Sequence, residues 1–474
     1  MGNTSSSSAL QSCLKNVCAG QQNCVAFPTN PVLTYHLEWM KPYNLNKIPT
    51  PVAVTRPMTA EQIAGVVKCA VASKVKVQPR SGGHSYGNYG LGGDDGAVVV
   101  DLVNFQQFSM DEKYQATIGA GTLLGDVTKK LHENGGRAMA HGTCPQVGIG
   151  GHATIGGLGP PSRMWGTSLD HVVDVTVVTA KGDIVKASES ENSDLFFALK
   201  GAGASFGIIT EFRVRTHPEP RNVVEYTYDF TFGKHEDMAS TFEVWQTLIS
   251  DPNLDRRFAS QFILHELGAV VLTVFYGTEG EYEATGIPAR LPKGGKLAFA
   301  MEDWLGSVGH AAEVVGLQAV GGVPIPFYTK TLAFRKEDLI PRSGITELFK
   351  HFGKDKGTII WFTIFDLAGG AVSDVPQDKT AYAHRDKLFF VQSYGVGIPT
   401  VSQKTKDWLN GVNTIIRDAL PNAPFGAYPG YVEPDLADGQ EQYWGANLPR
   451  LKDIKKMWDP KDVFHNPQSV PPAK

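Results

Sequence analysis

The sequence predicts an α+β fold in two domains, on three observations. The chain has 474 residues, longer than one simple core usually organises. Its first half alternates short strands and helices around glycine-rich loops. Its second half sets strand after strand with few crossover helices, as an antiparallel sheet does.

The elements follow in order. Residues 50–56 form a strand that stops at Pro57. Thr59 caps the next helix, over 60–73, with Gln62 three residues on in the capping-box position. Strands follow at 75–78, 97–102 and 115–119, then a helix over 124–134 stopped by Gly135-Gly136. Residues 172–179 and 183–187 read as a hairpin around Lys181-Gly182, 194–199 as a short helix, and 208–215 as a strand that ends before Pro218. Beyond it come strands at 223–232, 259–264 and 270–276, with a helix over 236–249. Later strands near 358–367 and 387–394 and a helix over 404–420 complete the second region.

Composition excludes several classes. Hydrophobic residues make up 42% and charged residues 19%, with a net charge of −4, an ordinary globular balance. No basic run of five or more exists, so no nucleic-acid partner is expected. No apolar run of about 18 residues exists, so no membrane span is expected. Residues 1–8 are polar and lack an apolar signal core, which reads either as the start of a mature secreted protein behind an added Met or as a remnant of an expression leader. Cys13, Cys18, Cys24 and Cys69 can pair among themselves, leaving Cys144 over. Pairing fits an oxidising, extracellular setting; the alternative is a set of free cytosolic thiols. Asn3-Thr4-Ser5 has the glycosylation pattern.

Chemistry concentrates in two glycine-rich loops. One is Arg80-Ser81-Gly82-Gly83-His84-Ser85-Tyr86-Gly87; the other is His141-Gly142-Thr143-Cys144-Pro145 running on to Val147-Gly148-Ile149-Gly150-Gly151-His152. Glycine lets backbone approach a ligand and turn its N–H groups inward, which suits a pyrophosphate. A third run, from Gly201 to Gly207, lacks the dinucleotide-fold spacing and precedes a strand rather than a helix.

These residues resemble the flavoprotein oxidases of the vanillyl-alcohol oxidase and berberine bridge enzyme type, most closely the fungal carbohydrate oxidases. The resemblance implies FAD bonded covalently through His84 to the flavin 8α carbon and through Cys144 to C6. It implies cofactor contacts from Arg80, Ser81, Gly82, Gly83, Ser85, Thr143, Val147, Gly148, Gly151, His152, Gly156, Ile208, Phe464, Asn466 and Gln468. Nearby positive groups or loop N–H donors are expected to help ionise Cys144. It implies disulfides Cys13–Cys69 and Cys18–Cys24. The tail, through Tyr443-Trp444-Gly445 to Phe464-His465-Asn466-Pro467, resembles the cofactor domain again. The expected division is therefore a discontinuous FAD-binding domain of the PCMH type, 1–220 and 425–474, around a substrate domain, 221–424, with an antiparallel sheet flanked by helices.

Tyr428-Pro429-Gly430-Tyr431 is similar to the paired tyrosines of that family, with Gly430 where berberine bridge enzymes commonly carry Asn. Tyr431 is the expected general base. Tyrosine is a poor base at its usual pKa of about 10, and Asp366 is expected to ease its ionisation. Tyr86, Gln261, Trp361, Gln392 and Tyr428 are the expected substrate contacts, Trp361 as a stacking surface. Some relatives carry Arg or Trp where this chain has Gln261 and Phe362. The implied activity is oxidation of the anomeric carbon of reducing-end cello-, xylo- or chito-oligosaccharides to lactones, with oxygen reduced to hydrogen peroxide, by a secreted monomer. The rival within the fold is a berberine bridge-like oxidase or dehydrogenase of a non-sugar alcohol. No metal is expected. A metal site from His84, His141, Cys144 and His152, or a cysteine hydrolase, would leave the glycine loops unexplained.

Overall fold

The computed structural model describes residues 3–28, 32–231, 233–308 and 324–474. Two hydrophobic cores organise them. The first collects buried residues from Leu10 to Val214 and again from Tyr443 to Val470. The second collects Val224 to Ile416.

Two sheets surround the first core. In one, strands Ala53–Thr55, Val98–Asp101 and Val77–Arg80 run parallel, with Val25–Ala26 added antiparallel at the edge. In the other, Phe108–Met110, Gln115–Gly119, Ile208–Arg215, Val172–Val178 and Ile184–Ser188 are antiparallel neighbours. The Val172 and Ile184 strands form the hairpin expected around Lys181-Gly182. Helix Ala60–Ala72 turns Ile63, Val66, Val67 and Ala70 inward, the i, i+3, i+4, i+7 spacing of one helical face. Its cap is half of the expected box: Thr59 Oγ1 accepts from Gln62 N, but Gln62 Oε1 accepts from Met58 N rather than Thr59 N.

Around the second core, seven described strands form one antiparallel sheet. Its order is Lys296–Glu302, Val223–Thr231, Gly268–Phe275, Phe258–His265, Trp361–Leu367, Lys387–Val396, Phe327–Arg335. Helices Ala239–Ile249, Arg342–Phe352 and Gln403–Ala419 supply apolar faces to the same core, on one side of the sheet. Strand alternation then decides everything on the other side. Along Trp361–Leu367, Trp361, Phe365 and Leu367 join the helices, while Ile364 and Asp366 line a cavity.

The sequence gives no periodic signal for helix Asn3–Val17, whose first half is a run of serines. Its attachment is covalent. Cys13 is bonded to Cys69 on helix Ala60–Ala72, and Cys18 to Cys24. A crosslink restricts the unfolded chain, and about 2–4 kcal/mol is usual. We therefore predict that Cys69→Ser, with Cys13→Ser to avoid a stray thiol, lowers the free energy of unfolding measured by chemical denaturation by that amount. An unchanged free energy would show that the crosslink contributes nothing to stability.

Candidate active site

Strand Val77–Arg80 delivers the first glycine loop and helix Leu124–Glu133 packs beside the second. The two loops meet backbone to backbone. A Cβ on Gly82 would fall 2.4 Å from Gly148 N, and one on Gly148 would fall 2.1 Å from Gly82 N. No side chain fits at either position, so the approach needs glycine on both loops. It brings His84 and Cys144 into the lining of one cavity of about 340 Å³.

The loops are fixed by local bonds. Ser81 Oγ donates to Ala120 O at 2.6 Å. His152 Nε2 accepts from Gly142 N at 2.9 Å. Burial first, and His141 second, push the His152 imidazole down to about 3, so it stays neutral and can accept. Arg80 lines the cavity, but its guanidinium is held by Asp101 at 2.6 Å, by Trp39 O and by Met40 O. Cys144 is buried and unbonded to another cysteine. Burial pushes its thiol above the usual value, against a lowering from the Gln146 backbone. Of the aids expected to ionise Cys144, the loop N–H donor is that of Gln146, and burial outweighs it.

The opposite wall is the sheet face. Gln261 and Asp366 are paired across neighbouring strands, and Gln261 Nε2 donates to Asp366 Oδ1 at 2.8 Å. Tyr431 Oη donates to Asp366 Oδ2 at 3.2 Å. Burial pushes the Asp366 carboxyl up, with both donors opposing. Burial, then the Asp366 charge, push the Tyr431 phenol well above its ordinary value. A carboxylate beside a phenol repels a phenolate, so Asp366 does not help Tyr431 by stabilising its anion. What the pair offers is a route for the phenol proton: Asp366 can accept it. Gln392 Nε2 donates to Tyr86 Oη at 2.6 Å, and the Tyr86 ring stacks on Tyr431 with centroids 6.4 Å apart.

The loop bearing Tyr431 is tied at both ends. Ala333 N donates to Gly426 O at 2.8 Å. At the far end the buried Glu433 pairs with Lys330 Nζ and accepts from Thr331 N. Tyr428 Oη accepts from Gly157 N at 2.9 Å and from Leu158 N at 3.4 Å. Its ring lines the cavity while its hydroxyl holds that loop.

Most of the expected site residues line this cavity: the Arg80–Tyr86 run, Thr143, Cys144, Val147, Gly148, Gly151, His152, Gln261, Asp366, Gln392, Tyr428, Tyr431, Asn466 and Gln468. Four do not. Trp361 is 1% exposed, packs in the second core, and donates its indole N–H to Glu266 at 2.6 Å. It lies one residue out of phase with the cavity face, so it offers no stacking surface. Ile208 is likewise on the core side of its strand, and Ile209 lines the cavity instead. Phe464 is fully buried in the first core. Gly156 sits behind the wall, where a Cβ would meet Tyr382 at 2.8 Å. Tyr43, Tyr443, Trp444 and the glycine run from Gly201 also line the cavity. Tyr443 and Trp444 belong to the tail that resembles the cofactor domain, though no site role was expected of them; Tyr43 carries no motif, and the fold alone brings it in.

The lining fits FAD. Bare glycine backbone faces the cavity from the first loop, the second loop and the Gly201–Gly203 turn, and a Cβ at Gly203 would meet Thr154 at 2.7 Å. Such backbone is what a pyrophosphate and a flat ring system require. Residues 51–188 match the family model described as FAD binding domain, and residues 427–471 the one described as berberine and berberine like. A FAD-linked oxidoreductase, sorD, of Penicillium rubens is 38% identical over 98% of this chain and 99% of its own length. The xylooligosaccharide oxidase of Myceliophthora thermophila C1, solved with xylobiose, is 31% identical and superposes with a TM-score of 0.89, covering 98% of this chain and 100% of that one. The glucooligosaccharide oxidase of Acremonium strictum, whose FAD is described as 6-S-cysteinyl, 8α-N1-histidyl, is 29% identical with a TM-score of 0.88, covering 98% and 99%.

Proposed function

The chain belongs to the FAD-dependent oxidoreductases of the vanillyl-alcohol oxidase and berberine bridge type, and on that premise we propose that it is a secreted, monomeric oligosaccharide oxidase. Its substrate is the reducing-end sugar of a cello-, xylo- or chito-oligosaccharide. The observation that carries this reading is the Tyr431–Asp366 pair facing the loops of His84 and Cys144 across one cavity. His84 and Cys144 hold the FAD covalently, as the two linkages named for the Acremonium strictum enzyme suggest. Residues 1–220 and 425–474 form the cofactor domain and 221–424 the substrate domain.

When bound, FAD would supply the two-electron acceptor for the anomeric hydrogen, with oxygen as the final acceptor. The protein supplies the proton path. Tyr431 takes the proton of the anomeric hydroxyl while its own proton goes to Asp366 Oδ2. The phenol then never carries a full negative charge beside the carboxylate. Gln261, bonded to Asp366 Oδ1, keeps the other oxygen aimed at Tyr431. Gln392 holds the Tyr86 hydroxyl, so both glutamines act on the substrate through the groups they fix.

One observation favours a second reading, a berberine bridge-like oxidation or dehydrogenation of a non-sugar alcohol. The polar groups of the substrate wall are already engaged with one another, and Tyr43, Tyr86 and Ile364 give that wall an apolar character. A peroxide-release screen separates the two. Cello-, xylo-, chito- and malto-oligosaccharides, lactose and glucose form one arm, and aryl-substituted alcohols the other. Peroxide from the sugar arm supports the first reading. Peroxide or flavin bleaching from the aryl arm alone rejects it.

A further inference from the structure

Tyr43 belongs to none of the sequence motifs, yet its ring stacks on His84. The centroids are 4.3 Å apart and the planes differ by 30°. Tyr43 also stacks on Tyr86 at 6.1 Å and 21°, and Tyr86 stacks on Tyr431 at 15°. A row of near-parallel rings thus runs from His84 to Tyr431. Phe327 meets Tyr43 edge-on at 5.6 Å.

Two buried amides staple Tyr43 in place. Asn88 Oδ1 accepts from Tyr43 N at 2.9 Å and from Asn44 N at 3.3 Å. Asn88 Nδ2 donates to Asn44 O at 2.7 Å and Lys47 O at 2.8 Å. Asn44 Nδ2 in turn donates to Tyr86 O at 2.9 Å and Phe327 O at 3.0 Å. Asn88 is 3% exposed and holds φ at +52°, a left-handed conformation that asparagine tolerates better than most residues. Buried amides are costly to leave unpaired. The Tyr43 segment is therefore specified against the loop of His84 rather than resting on it.

An imidazole on two single bonds samples several rotamers; a stacked neighbour narrows them. We propose that Tyr43 is a positioning residue that orients the His84 imidazole for its bond to the flavin. This rests on the covalent reading above. In that bond a C–N link to the flavin 8-methyl carbon replaces one methyl C–H and the imidazole N–H. The two electrons pass through the ring system to molecular oxygen, which leaves with both protons as hydrogen peroxide.

The test isolates one tether at a time by intact mass under denaturing conditions. Cys144→Ala is expected to retain FAD through His84. Tyr43→Ala in that background is expected to lose covalent FAD by at least about tenfold at a fixed time, since displacing a reacting group by an ångström costs up to about a hundredfold. Tyr43→Phe, which keeps the ring, is expected to restore it. Tyr43→Ala with His84→Ala is expected to keep FAD through Cys144, because a pure folding defect would remove that link too. Three results overturn the proposal. The first is full FAD in Tyr43→Ala/Cys144→Ala. The second is loss of FAD from Tyr43→Ala/His84→Ala. The third is absence of FAD from Cys144→Ala itself, which alone also removes the His84 tether.

Discussion

Tyr431→Phe is expected to slow flavin reduction by about 10²–10⁴-fold, the usual range for general base assistance. The variant keeps the ring that stacks on Tyr86 and loses only the hydroxyl bonded to Asp366. Flavin content and substrate dissociation constant should therefore change little. The measurement is anaerobic stopped-flow reduction by the sugar that releases most peroxide. Asp366→Asn supplies the complementary result. The carboxyl is pushed up by burial, so wild-type reduction should fall, as pH drops, at a pH above the ordinary carboxylate range. Protonated Asp366 cannot take the tyrosine proton, which fixes the sign. The Asn variant should be slow throughout and lack that acidic limb. Near wild-type reduction by Tyr431→Phe would place the base elsewhere, with Tyr86 and Tyr428 next to examine.

The largest expected loss of stability comes from Lys455. Its side chain and that of Asp459 are both 0% exposed, with Nζ 2.7 Å from Asp459 Oδ2. The same ammonium donates to Ser205 O at 2.6 Å and Phe464 O at 2.8 Å. Asp459 in turn accepts from Val463 N and Phe464 N. Helix Leu448–Trp458 is thus pinned both to the cavity-lining Ser205 turn and to the strand of chain that leads to Asn466 and Gln468. Removing one partner of a buried pair typically costs about 3–5 kcal/mol, because the other charge is left uncompensated. We predict that loss for Lys455→Met in chemical denaturation, with weaker noncovalent retention of FAD before attachment. A cost below about 1 kcal/mol, the range of an exposed pair, would mean that water reaches the pair.

How far the sequence carried the account depended on the range of the interaction. Local signals read well. Strand Ile208–Arg215 and the start of helix Ala60–Ala72 fell where alternation and the Thr59 cap put them. The glycine loops were legible because close backbone approach leaves a compositional trace. Trp361 was misread because composition does not give the phase of a strand, and a shift of one residue moves a side chain to the other face. Tyr43 had no local signal, and Lys455, though it lies in the tail that resembles the cofactor domain, had none that gave it a role. Each acts through partners far along the chain, His84 and Ser205, that only the assembled fold brings near. The role of Asp366 needed geometry as well: the resemblance put a carboxylate near Tyr431, and only the structure shows its Oδ2 placed to accept the phenol proton while its charge opposes a free phenolate.

The central claim is a flavin bonded at both His84 and Cys144, facing Tyr431. Intact-mass measurement of the denatured protein, wild type beside His84→Ala, Cys144→Ala and the double variant, tests it most directly. One FAD should remain on the wild type and on each single variant, and none on the double variant. Wild-type protein that sheds all its FAD on denaturation would contradict the account.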